Sequence, residues 1–329
     1  MLKNEIASLM NESGRMFQWA TAVDKQLNLT AEDKEISAVV DAWAKSIGEK
    51  GVDSNNEIAE YMVKTIQPEV YDVPDALLSQ MFDRGTVGEF DDFQSTIAPY
   101  NTLVAREAGN AGTVDKSYIN WTVVKPTWKQ FQVETELRYS DLRKNGFKTI
   151  ATMTTFAEEA LKNKMFYTVF AIIDAAITGG DQAIVSGASM PTVTAMDEMS
   201  LYLLDRGSNP MTISLSKYAQ AIAKMSGRTS FMSQEMLNSY NRYGLVDFYN
   251  GVKIATISGA HKTGDGQQLI TDKRIYGIAD KIGTLDMRGD LRVYETMDNK
   301  RETVELKLAG FQFGVSIDNI TKVAKITMA

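Results

Sequence analysis

Thr149 to Thr178 reads TIATMTTFAEEALKNKMFYTVFAIIDAAIT. Apolar residues fall at Ile150, Met153, Ala157, Leu161, Met165, Val169, Ile172, Ile173 and Ala176, which is the spacing of a helix with one buried stripe. Gly179-Gly180 ends the pattern. At 1.5 Å per residue such a helix is about 45 Å long. It predicts a backbone for the whole molecule, and the flanking segments are read by how they attach to it.

On its N-terminal side, Ile119, Trp121 and Val123 alternate with Asn120 and Thr122, the signature of a strand. Lys125-Pro126-Thr127 breaks the run, and a second alternation follows through Phe131, Val133, Thr135 and Leu137. Together they predict a long two-stranded hairpin. A lone hairpin is marginal in water and needs a partner surface. The stretch before it, residues 83–117, is rich in Gly, Asp, Thr and Asn.

Further upstream, Thr30 stands as an N-cap before Ala31, Glu32 and Asp33. Ile36, Val39, Val40, Trp43, Ala44 and Ile47 then recur at helical spacing. Gly48 and Gly51 are expected to stop this helix. A second helix is expected over Glu57 to Ile66, and Pro68 and Pro74 are expected to turn the chain into an extended connection. Residues 1–67 thus read as a helical arm.

On the C-terminal side, residues 192–258 mix helical and strand patterns. These are Asp197 to Leu204, Thr212 to Leu215, a helix carrying Tyr218, Ile222 and Met225, and Val252 to Ile257, which together read as an α+β lobe. Ser258 to Gln268, with Gly259, Gly264 and Gly266, reads as a loop. Period-two patterning returns at Leu291 and Val293, at Val304, Leu306 and Leu308 against Glu305 and Lys307, and at Phe311, Phe313 and Val315. Met297 to Arg301 supplies a turn between the first two runs.

Composition narrows the function. The 329 residues are 44% hydrophobic and 23% charged, enough for a substantial core. The net charge of −7 is uneven: residues 1–100 carry 18 acidic and 8 basic side chains, the remainder 24 and 27, so −10 and +3. An acidic chain lacks the phosphate contacts of a tight DNA binder, although it can enclose DNA. With no cysteine there is no disulfide, thiolate nucleophile or cysteine metal site. No run approaches the roughly 20 apolar residues of a membrane span, since Thr168 and Asp174 interrupt Phe166 to Ile177. Lys3, Glu5, Glu12 and Arg15 deny the N-terminus the apolar core of a secretory signal.

The order of elements is helical arm, extended hairpin, long helix, α+β lobe and terminal strands. With Leu137 to Leu142 (LRYSDL), Asn250 to Ser258 (NGVKIATIS) and Asp290 to Glu295 (DLRVYE), it resembles the α+β Hong Kong 97 fold of tailed-phage major capsid proteins. The resemblance covers residues 85–329. It implies a helical N-terminal arm (1–67), a connection and extended hairpin loop (68–138), a spine helix and peripheral domain (139–191), an axial domain (192–285) and closing peripheral strands (286–329). It further implies a non-enzymatic subunit without cofactor that assembles with copies of itself in hexamers and pentamers into an icosahedral shell. That shell would enclose double-stranded DNA, with portal, scaffolding or cementing proteins as partners. The expected location is the virion, after assembly in the host cytoplasm. The rival readings are an encapsulin-like nanocompartment shell and a soluble α+β enzyme.

Catalytic candidates are sparse. His261 is the single histidine, so neither a histidine-based triad nor a two-histidine metal site has its second member. The glycines of His261 to Gly266 do not match a phosphate loop. Asp91-Asp92 and Glu158-Glu159 read as solvated charge, Arg288-Gly289-Asp290 as a turn, and Asn120-Trp121-Thr122 as an idle glycosylation match. Large aromatics on a projecting element point to an interface. Trp121, Trp128 and Phe131, with Lys125 and Lys129 beside Pro126, are therefore nominated for subunit contacts. Ile36, Val40, Trp43 and Ile47 are nominated for the arm's contact with shell protein. Some relatives of the resembled family join a loop lysine to a neighbour's asparagine. Lys125 and Lys129 sit in a polar turn, so no cross-link is expected.

Overall fold

The computed structural model describes residues 14–50, 57–71, 76–88, 91, 94–98, 101–107, 116–225, 247–298, 300–310 and 312–329. Its axis is helix α6 (Phe147–Ala176), the 30-residue helix that the apolar stripe predicts. Ahead of it lie α1 (Arg15–Asp24), α2 (Ala31–Lys50), α3 (Glu57–Tyr71), α4 (Ala76–Met81) and α5 (Tyr139–Asn145). Helices α1, α2 and α3 pack along α6. These three helices of the arm therefore form a layer on the chain's own spine.

Its packing follows from the sequence. Thr30 caps α2 with its hydroxyl oxygen, which accepts from the Asp33 amide at 3.2 Å. The Asp33 carboxylate in turn accepts from the Thr30 amide at 3.0 Å and hydroxyl at 2.7 Å. Those bonds, helped by Arg15 at 3.0 Å, hold the Asp33 carboxyl below its ordinary value. Ile36, Val40, Trp43, Ala44 and Ile47 all point inward. The Trp43 ring meets Tyr61 of α3 at 5.7 Å. Trp19 is fully buried, and its indole donates to Ser37 at 3.0 Å.

Two expected breaks do not occur. Gly48 lies inside α2, because a Cβ there would sit 2.7 Å from Arg143 Cγ of α5; the glycine permits close approach. Pro68 lies inside α3, whose buried face continues from Ile66 to Val70 across it. Packing on both sides offsets the hydrogen bond that proline forfeits. Gly51 and Pro74 fall outside the described residues.

Three sheets carry the rest of the core. The first runs β1 (Phe82–Val87), β11 (Gly283–Arg288), β14 (Gln312–Ile317) and β4 (Thr127–Gln130). The second runs β12 (Arg292–Asp298), β13 (Thr303–Ala309) and β5 (Val133–Arg138), with the expected turn after Asp298. The third has the order β6 (Ala183–Ser186), β15 (Val323–Met328), β10 (Arg274–Ile278), β7 (Met211–Leu215), β9 (Val252–Ile257) and β8 (Phe248–Tyr249). Helices α7 (Val193–Leu204) and α8 (Ser216–Ala223) flank it, and all five residues of β7 are buried. Phe311, expected to open a strand, lies outside the described residues, and β14 begins at Gln312.

The division of the chain differs from the expected one in two places. The sequence places β15 among the closing peripheral strands, yet it lies between β6 and β10 in the sheet of the α+β lobe. The predicted hairpin also does not form, since β4 pairs with β14 and β5 with β13. The run containing Trp121 instead pairs, as β3 (Thr122–Val124), with β2 (Ser95–Ile97).

One polar joint fixes the lobe to the spine. Lys325 of β15 is buried and donates to the backbone carbonyls of Asp174 and Ile177, each at 3.2 Å, and to the Asp174 carboxylate at 3.1 Å. A cation on the last carbonyls of a helix is favoured by its dipole. Arg274 reaches the same carboxylate at 3.0 Å and the Tyr276 hydroxyl donates to it at 3.3 Å. Burial, then the Asp174 charge, pushes the Tyr276 phenol up.

Candidate assembly surfaces

Between β1 and β4, the described residues form a two-stranded ribbon. At its base, Ser95, Thr96 and Ile97 stand opposite Val124, Val123 and Thr122. Farther out the legs are joined through side chains. The Thr102 hydroxyl donates to the Tyr118 carbonyl at 2.6 Å and accepts from the Asn120 amide at 3.2 Å, and the Val104 amide donates to Ser117 Oγ at 3.2 Å. The ribbon thus extends beyond its short ladder, but with legs drawn from different residues than the alternation implied.

Its surface is apolar where a monomer gains nothing from it. Leu103, Val104, Tyr118, Ile119, Trp121 and Val123 are all exposed, Trp121 by 63%. Isolated exposed apolar residues are ordinary, whereas a group on one projecting element marks an interaction surface. Leu103, Val104 and Tyr118 were not singled out from sequence, because they lie in a stretch whose polar neighbours disguise the pattern.

The nominated interface residues separate. Trp121, Lys125 and Lys129 are exposed. Trp128 is half-buried: its ring lies against Gly314, where an added Cβ would approach to 2.8 Å, and Arg288 stacks on it at 4.9 Å. Phe131 is only 7% exposed and packs on Phe313 at 5.9 Å, so it belongs to this chain's core. Ile36, Val40, Trp43 and Ile47 are likewise covered by the chain's own packing and are not free for a neighbour. The reason is common to all five: the partner they lacked in the sequence lies far along the same chain.

Exposed apolar residues also occur separately on the α+β lobe. Val185 on edge strand β6, Leu201 and Leu204 on α7, and Phe248 on β8 are exposed.

His261 and Glu159 form a half-exposed pair at 3.3 Å beside an open groove of about 700 Å³, while Glu158 is paired with Lys162. The two glutamates therefore have separate partners. Arg288 donates to the Asp91 carbonyl at 3.2 Å besides stacking on Trp128, so the Arg-Gly-Asp tripeptide is a structural turn, with Gly289 at φ 77°. Asp92 lies outside the described residues. Among those residues no group of three metal-ligating side chains occurs, and no helix is long and apolar enough to cross a membrane.

No protein-family model matches the sequence, and no curated protein matches it. Solved structures do match. A structure of Microbacterium phage Oxtober96 aligns with a TM-score of 0.55 at 13% identity, over 78% of this chain and 91% of that one. The capsid of Cyanophage P-SCSP1u gives 0.53 at 11% identity over 77% and 88%. The mature capsid of bacteriophage PhiM1 gives 0.50 at 11% over 78% and 90%. With its spine helix, projecting ribbon and sheeted lobe, the chain has the α+β capsid fold of tailed bacteriophages, the fold named for Hong Kong 97.

Proposed function

We propose that this chain is a major capsid protein, a structural subunit that closes with copies of itself into an icosahedral shell around a phage genome. The observation that carries the reading is the ribbon, on which six large apolar side chains are gathered and left to solvent. A neighbouring copy supplies the missing cover. On this reading the subunits group as hexamers and pentamers, the lobe's Leu201 and Leu204 face adjacent lobes, and the product is the virion, assembled in the host cytoplasm. Double-stranded DNA is enclosed and not read, in keeping with the acidic charge. Portal, scaffolding and cementing proteins are the expected further partners, and the subunit's role is structural.

Electron microscopy of the purified full chain tests this. Closed, uniform, faceted particles are expected. A well-behaved monomer at high concentration across a range of ionic conditions would overturn the reading, and particles filled with a protein cargo in place of DNA would replace the phage shell with a nanocompartment.

A further inference from the structure

On the sheet formed by β1, β11, β14 and β4, two carboxylates are joined through two hydroxyls. Asp286 Oδ2 lies 3.3 Å from Thr284 Oγ1, Thr284 Oγ1 lies 2.7 Å from Ser316 Oγ, and Ser316 Oγ lies 3.1 Å from Asp318 Oδ1. Thr284 and Ser316 are directly paired across β11 and β14, and Asp286 and Ser316 are buried.

Each of these contacts requires one hydrogen, and two hydroxyls supply only two. If both carboxylates are ionised and each hydroxyl donates outward, the two hydroxyl oxygens meet lone pair to lone pair at 2.7 Å. If one hydroxyl turns inward, one carboxylate loses its donor in the chain. Either arrangement leaves a polar contact unmade at a part-buried site, where that carries a cost.

We propose that this face is a proton-binding site, in which one extra proton shared between Asp286 and Asp318 completes the chain of hydrogen bonds. The surroundings agree. Burial, with the Asp318 charge adding to it, pushes the Asp286 carboxyl up, and burial with the Asp83 charge does the same to Asp318. Asp83 of β1 stands beside Thr284 and is paired with Lys281. Arg84 and Asp91 share a hollow with Asp286, where Arg84 donates to the Val70 carbonyl at 3.4 Å and Arg288 to that of Asp91. The nearby cations are thus engaged with Asp83 or with backbone oxygens. The site lies on the sheet whose strands β1 and β4 flank the ribbon in the chain.

Asp286→Asn and Asp318→Asn are the test, because either amide brings a permanent hydrogen to the chain from one end. A carboxyl raised in the folded state stabilises below its unfolded value and loses that contribution as pH rises through the folded one. Thermal unfolding of the full chain is expected to show wild type falling below both variants toward alkaline pH, by about 2 °C, and converging with them at acid pH. Infrared spectroscopy over a pH series is expected to show the carbonyl band of a protonated carboxylic acid persisting to higher pH in wild type than in either variant. A band lost at the same pH in wild type and variants, or a wild-type pH profile parallel to both variants, would overturn the proposal. If Asp286→Asn does not fold, Asp318→Asn and the wild-type band decide.

Discussion

Two tryptophans separated by seven positions in the sequence should fail in different ways when truncated. Trp121 is 63% exposed in the subunit, whereas Trp128 is wedged between Gly314 and Arg288. A tryptophan buries about 150–250 Å² when fully covered. Covering the exposed fraction of Trp121 in an interface removes about 95–160 Å² from water, worth about 2.4–4 kcal/mol at 25 cal/mol per Å². Trp121→Ala should therefore leave the unassembled subunit within about 0.5 kcal/mol of wild type. The concentration needed for assembly should rise by about two to three orders of magnitude. Trp128→Ala should instead lower the stability of the subunit itself by about 2 kcal/mol, below the range for a fully buried tryptophan. The assays are thermal unfolding of dissociated subunits and particle counts by light scattering over a concentration series. If Trp121→Ala assembled like wild type, or destabilised the free subunit as Trp128→Ala does, the ribbon would not be an assembly element.

Other substitutions probe the fold. Lys325→Met should cost about 2 kcal/mol in thermal unfolding; removing one partner of a buried pair costs more, but Arg274 remains on Asp174, and a neutral result would refute the joint. Thr30→Ala should cost about 1 kcal/mol as a lost helix cap. Because the Asp33 carboxyl is depressed, its contribution is present above its unfolded value of 3.8 and is lost as pH falls through the folded value, so the variant should show a shallower loss of stability on acidification than wild type. Gly207→Ala would bring a Cβ to 2.0 Å from the Ala279 carbonyl oxygen, so soluble yield and unfolding temperature should both fall sharply.

Elements governed by local chemistry were legible in the sequence. The Thr30 cap, the stripe on α6 and the turn after Asp298 are each specified by residues within a few positions of one another. Pairing partners were not. The alternation at Ile119 to Val123 marks a strand but does not name its neighbour, and the neighbour is the short polar Ser95–Ile97 and not the apolar run at Phe131. Burial was misread for the same reason: Phe131 and Trp43 are covered by Phe313 and Tyr61, which only the folded topology brings near. Gly48 and Pro68 show tertiary packing overriding local breakers. The candidate surface is half legible: alternation in the sequence marks Trp121 on its strand, while Leu103, Val104 and Tyr118 join it only in the folded ribbon.

The placement of β15 between β6 and β10 sets an order of events during synthesis. Its partners leave the ribosome well before it does, and until residue 323 follows them β6 and β10 each present an unpaired edge. Open edges invite wrong pairing with other chains. A nascent chain stalled short of β15 also lacks Lys325, the residue that seats the lobe on the spine. Interrupted translation products should therefore be poor building blocks, excluded by their own incomplete lobe, and translation through β15 would act as the checkpoint that admits a subunit to the growing structure.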